Sequence, residues 1–249
     1  MPSIMVYQEK QTVYSPISDP QGDYTHHDFS FEEVSAATKL NRHMTAKEQL
    51  ELYIPAETVR LSVVWFVHEL RKQIEATEDR LILVFNLMGA YWFTNLILEA
   101  YEAEFGSSLL DEVELHPIRV STSHGYQDFN EEASQEQLLW PFAPHSLGDR
   151  TVFSLEDIGD RGRTQQIIKE LAYRDGAQNV LTVNLFEKLR DDITKHEEPD
   201  YVLLIVAQFF LLGVGLDSGT DNLTRELAFR QLKTVAKLHA ITETEALAR

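Results

Sequence analysis

The sequence predicts an α/β fold in which a parallel sheet is flanked by helices. Apolar runs of strand length, LILVFNLM at 81–88, NVLTVNLF at 179–186 and YVLLIVAQFF at 201–210, read as buried strands. Segments of helical period lie among them, and strands alternating with helices imply βαβ units and a parallel sheet. A chain of 249 residues is long enough to bury a real core.

Residues 1–50 are polar and weakly periodic, with turn material at Asp19-Pro20-Gln21-Gly22 and an expected helix near 30–52. They form an N-terminal extension that would contribute to a hood or an interface, and residues 51–249 form the main domain. Val59, Val63, Phe66, Val67, Leu70 and Ile74 fall at helical spacing, which predicts an amphipathic helix over 57–76. The strand at 81–88 passes Gly89 into a second apolar helix ending near 104. VELHPIRVST at 113–122 alternates as a strand does. Residues 123–148 hold Gly125, Pro141, Pro144 and Gly148 among acids and amides, the composition of a long loop; loops of that length are usually functional or disordered. TVFSL at 151–155 is a strand leading to a helix at 163–174, with Ile167, Ile168 and Leu171 on one face. A last helix is expected from Thr224 to Lys237.

Composition narrows the function. The net charge of −18 and the lack of any basic cluster argue against a nucleic-acid partner, which would require a basic surface. No Cys is present, so disulfides and thiolate chemistry are excluded. The start MPSIMVYQEKQ has no basic-then-apolar leader pattern, and a cytoplasmic location is expected. The apolar run 201–216 is shorter than the roughly 20 residues that span a bilayer, and it includes Gln208 and two glycines; buried strands explain it better than a membrane segment. His26-His27-Asp28 makes a poor metal site, because adjacent histidines diverge and no matching ligands follow.

The sharpest local signal is VFSLEDIGDRGRT at 152–164. An apolar strand ends in Glu156-Asp157, and a glycine-containing turn leads to Arg163-Thr164 and a helix. Ligands of parallel α/β sheets bind at the carboxyl ends of strands, and a helix start suits a phosphate. Two carboxylates beside a phosphate cradle would repel the anion unless they face sugar hydroxyls, and phosphate with diol describes a ribose phosphate. On local chemistry alone, a solvated acidic loop with an incidental glycine pair reads equally well.

These residues resemble the phosphoribosyl pyrophosphate motif of the type I phosphoribosyltransferases, and the wider chain resembles the hypoxanthine-guanine branch. The resemblance implies a type I phosphoribosyltransferase core with a mobile loop. It implies that Glu156 and Asp157 hold the ribose 2- and 3-hydroxyls, that Asp160 acts as base or acid near N7 of a purine, and that Arg161, Gly162, Arg163 and Thr164 form the 5-phosphate loop. NLMGAYWF at 86–93 resembles the pyrophosphate loop, with Leu87, Met88 and Gly89 at its turn. VSTSHG at 120–125 resembles the mobile loop, with Ser123-His124 where the family has a Ser-Tyr pair. NLFEKLR at 184–190 makes Lys188 the contact to a 6-oxo group. FFLLGVGLD at 209–217 makes Phe210 a stacking platform, Leu212 a backbone contact and Asp217 a group near magnesium and pyrophosphate. Arg225 stands for the pyrophosphate-binding Arg. Taken singly, Lys188 also reads as a surface lysine, Phe210 as core, Asp217 as a turn residue and His124 as an exposed loop residue.

The implied activity is transfer of the 5-phosphoribosyl group from phosphoribosyl pyrophosphate to a nucleobase, a 6-oxopurine foremost, with Mg2+ held by Glu156, Asp157 and Asp217. A homo-oligomer, dimer or tetramer, is part of the same expectation, with no membrane or nucleic-acid partner. Two other readings keep the site: a phosphoribosyltransferase acting on an uncommon heterocycle, or an inactive ligand-sensing regulatory protein.

Overall fold

Nearly unbroken apolar strands need cover on both faces, and the structure, a computed structural model, supplies it. It describes residues 13–14, 48–87, 89–120, 139–189, 198–207, 210–216 and 235–240. Strands β1 (Val13–Tyr14), β3 (Leu81–Asn86), β4 (Val113–Ile118), β5 (Thr151–Gly159), β6 (Asn179–Lys188) and β7 (Tyr201–Val206) form one sheet in the order β1-β7-β6-β5-β3-β4, every pair parallel. Alternate residues of β3 serve the two faces, as a two-residue period requires. Leu81, Leu83 and Phe85 join the larger core cluster, and Ile82 and Val84 the smaller one.

Helices α1 (Ala56–Glu75) and α2 (Tyr91–Phe105) contribute to the larger cluster, where Phe66 stands 5.8 Å from Tyr201 and 6.4 Å from Phe93 between ring centroids. Helix α3 (Arg163–Arg174) contributes Ile168 and Ala172 to the smaller cluster. Arg71 ties the α1–α2 layer together: its guanidinium donates to the Tyr101 hydroxyl at 2.8 Å and to Glu112 at 2.7 Å.

A second sheet contains β2 (Glu48–Ile54), β8 (Phe210–Leu212) and β9 (Val235–Ala240), antiparallel in the order β2-β9-β8. Here the structure departs from two sequence expectations. The helix expected over 30–52 gives way to β2 from Glu48, and the helix expected to reach Lys237 gives way to β9 from Val235. EQLELYI alternates polar and apolar residues, and its backbone partners lie almost two hundred residues away in the chain, where no local pattern points to them.

Other strands are close to expectation. β5 runs past Leu155 through the two carboxylates to Gly159, and β7 stops at Val206. The last part of the predicted long loop is tethered to the body: Leu139 exchanges backbone hydrogen bonds with Arg119, the Trp140 indole donates to Asp175 at 2.6 Å, and Leu147 is buried. Met88, Ser123, His124, Asp217, Arg225, His26-His27-Asp28 and most of the 1–50 extension lie outside the described residues, as does the side chain of Phe210.

Phe66→Ala should cost about 3–5 kcal/mol of folding free energy, because Phe66 is fully buried at the junction of α1, α2 and β7. Urea denaturation with an unchanged slope and a lowered midpoint would show it; a loss below about 1 kcal/mol would mean that this core collapses around the gap.

Candidate functional site

After β3 the chain moves to β4 on one side, and after β5 it moves to β6 and β7 on the other. The strand order therefore reverses between β3 and β5, and a crevice opens at their carboxyl ends. The turn after β3 closes through Gly89 N–H and Ala90 N–H, which donate to the Asn86 carbonyl at 3.3 and 2.9 Å. A Cβ on Gly89 would collide with the Asp157 carboxylate. Glycine is thus required where the turn meets the acid.

Glu156 is 5% exposed, and its Oε1 has no hydrogen-bond partner among the described residues. Burial pushes its carboxyl well above the ordinary carboxylate range and the Asp157 charge adds to the shift, while the Asn86 side chain pulls the other way. Asp157 beside it is part-exposed. The chain then turns through Asp160 and Arg161 to Gly162, whose φ of 72° is left-handed and which caps α3. Arg163 and Thr164 open that helix, where backbone N–H groups of the first turn have no acceptor within the helix. At the end of β6, Lys188 Nζ stands 3.9 Å from Asp160 Oδ2.

The structure thus brings Gly89, Glu156, Asp157, Asp160, Arg161, Gly162, Arg163, Thr164 and Lys188 to one edge of the sheet. Leu212 is buried in β8, on the second sheet, just before a turn in which Gly213, Val214 and Gly215 all have positive φ. That turn reaches the same region, because a Cβ on Gly215 would overlap the Trp92 side chain, two residues into α2. Trp92 was not singled out from the sequence. Neither were Asn86, Gln165, Asn184 and Glu187, all buried polar groups around the crevice. The available signal was an amide or acid at the carboxyl end of an apolar run, as in LILVFN and VNLFE.

Adjacent carboxylates, one with an unpartnered oxygen, form a donor set that suits a hard divalent cation. Among the described residues no group of three or more His, Asp or Glu could hold a metal. Magnesium is often bound through one or two carboxylates with substrate phosphates completing the shell. No helix among the described residues is long and apolar enough to cross a membrane.

No family model and no curated protein matches the chain. Solved structures do. A hypoxanthine phosphoribosyl transferase from Trypanosoma cruzi is 21% identical, with a TM-score of 0.58 over 80% of this chain and 93% of its own. A mutant of that organism's enzyme in a ternary substrates complex is 21% identical, with a TM-score of 0.59 over 76% and 94%. A hypoxanthine phosphoribosyltransferase from Staphylococcus aureus is 22% identical, with a TM-score of 0.56 over 76% and 91%. The chain has the type I phosphoribosyltransferase fold.

The raised pKa of Glu156 has a consequence for stability. Between the ordinary carboxylate value of 4.5 and the raised native value, the native protein binds more protons than the unfolded chain, so stability falls as pH rises through that interval. Glu156→Gln removes the cost. The substitution should raise the melting temperature, and by more at pH 8 than at pH 5. A larger gain at pH 5 would show instead that the folded site favours the ionised acid.

Proposed function

We propose that this chain transfers the 5-phosphoribosyl group from phosphoribosyl pyrophosphate to a 6-oxopurine, hypoxanthine or guanine, and releases pyrophosphate. The observation that carries the reading is the paired Glu156-Asp157 at the switch point, followed at once by a left-handed glycine and a helix start. The fold it shares with phosphoribosyltransferases supports the same reading.

In this reading Glu156 and Asp157 accept hydrogen bonds from the ribose 2- and 3-hydroxyls, and the turn Arg161–Thr164 receives the 5-phosphate with backbone N–H groups and the α3 dipole. The turn at Leu87, Met88 and Gly89 receives pyrophosphate. The bond from C1 to the pyrophosphate oxygen breaks, and its electron pair leaves with pyrophosphate. The new bond forms from C1 to a ring nitrogen of the base, which loses its proton. Asp160 takes or stabilises that proton near N7, a contribution typically of 10²–10⁴-fold. Magnesium held by Glu156 and Asp157, with Asp217, would neutralise charge on the departing pyrophosphate.

The Lys188–Asp160 pair favours a 6-oxo base. The ammonium donates to an exocyclic oxygen, and a 6-amino group facing it would leave both donors unmatched. Phe210 stacks on the base, Leu212 offers its backbone, Ser123-His124 cover the reacting centre, and Arg225 meets pyrophosphate. A cytoplasmic homo-oligomer completes the reading.

Pyrophosphate release from magnesium phosphoribosyl pyrophosphate tests it against hypoxanthine, guanine, xanthine, adenine, uracil and nicotinate. Release with the 6-oxopurines alone is expected. Release with another base, or none despite binding of the sugar phosphate, would replace the acceptor or point to a sensor. Asp160→Asn should lower kcat about 100-fold or more and spare phosphoribosyl pyrophosphate binding; lost binding would remove Asp160 from this role.

A further inference from the structure

Beneath the turn that follows β5, three buried side chains form a continuous chain of hydrogen bonds. Gln165, third residue of α3 and 2% exposed, donates its Nε2 to Asn184 Oδ1 at 2.5 Å. Asn184 donates its Nδ2 to Glu187 Oε2, also at 2.5 Å. Asn184 and Glu187 both belong to β6, where a separation of three residues places side chains on opposite faces of an ideal strand. They meet because their neighbour in β5 is Gly159, which pairs in register with Glu187. A Cβ there would overlap both the Glu187 carboxylate and the Asn184 amide.

The chain has a direction. As a carboxylate, Glu187 only accepts, so Asn184 must turn its NH2 towards it and its carbonyl towards Gln165. Gln165 must then present its own NH2 to Asn184. Its Oε1 is left at the far end, buried and without a partner among the described residues. One acid therefore sets the orientation of two amides, and through them the first turn of α3. A buried acid and two buried amides are costly in a core. Apolar residues would fill the same space without that cost, so packing alone does not explain them.

We propose that Gln165, Asn184 and Glu187 are positioning residues: a polar relay that holds the helix start after the Asp160–Gly162 turn against the end of β6, where Lys188 follows Glu187 directly. It joins the two parts of the site that would grip the sugar phosphate and the base. Its role in ligand binding rests on the phosphoribosyl reading above; its role in holding the turn does not.

The test uses the full chain with E187Q and N184L. A glutamine at 187 keeps the shape but can donate as well as accept, so the fixed direction is lost; a leucine at 184 removes both hydrogen bonds. Calorimetric titration with ribose 5-phosphate and hydrogen exchange at residues 162–168 and 187–189 are the readouts. E187Q also removes a negative charge close to the turn, so electrostatics alone would tighten binding of this anion. The relay predicts the reverse: affinity falls about tenfold in both variants, exchange accelerates at both ends of the relay, and exchange in α1 and α2 stays unchanged. Equal or tighter binding by the variants would overturn the relay. If the unmodified protein does not bind ribose 5-phosphate, the phosphoribosyl reading fails. Exchange then decides alone: acceleration confined to the two ends upholds the relay, and unchanged or uniformly accelerated exchange overturns it.

Discussion

The reversal of strand order between β3 and β5 governs the rest of this molecule. A parallel sheet needs a crossover for every strand, and crossovers that leave in opposite directions cannot cover the same edge. The gap left there is bordered by two turns, one after each central strand. Gly89 lets the first turn close on Asp157, and Gly162 lets the second start α3 without delay. Two helices cover one face of the sheet and one covers the other.

That arrangement concentrates polar groups where the core would otherwise be driest. Glu156 is buried beside another acid, and Asn86 offsets only part of the penalty. Asn184, Gln165 and Glu187 are buried as well, joined to one another by hydrogen bonds. The fold carries this burden because its apolar layers are extensive, with Phe66, Phe93, Phe153 and Tyr201 packed on one face. Stability given up at the strand ends becomes a preorganised edge, which is the usual trade between stability and activity.

Much of the core was legible from periodicity. LILVFN lies in a strand buried on both faces, and the Val59–Ile74 pattern lies in a helix. Helical and strand periods are local properties, and where packing agrees with them the reading holds. They failed at both ends of the second sheet. The helix expected over 30–52 took in the first part of EQLELYI, and the one expected over 224–237 the first part of VAKLHA, since their pairing is with each other across almost two hundred residues. The candidate site divides in the same way. The run 152–164 holds carboxylates, turn glycine and helix start in one contiguous stretch, so its strand–turn–helix arrangement could be read along the chain. Trp92 against Gly215 could not, because that contact joins residues far apart in sequence.

The sequence by itself determined which residue types stand at the end of β5, in what spacing, and which segments alternate between strand and helix. These depend on neighbours within a few positions, where steric and hydrophobic periods act directly. Only the tertiary structure decided that Lys188 faces Asp160, that Gly89 meets Asp157, and that Asn184 and Glu187 converge past Gly159 against their strand period. Those outcomes depend on which strands become neighbours and on the space that a missing Cβ leaves between them, and neither is written within any single stretch of the chain.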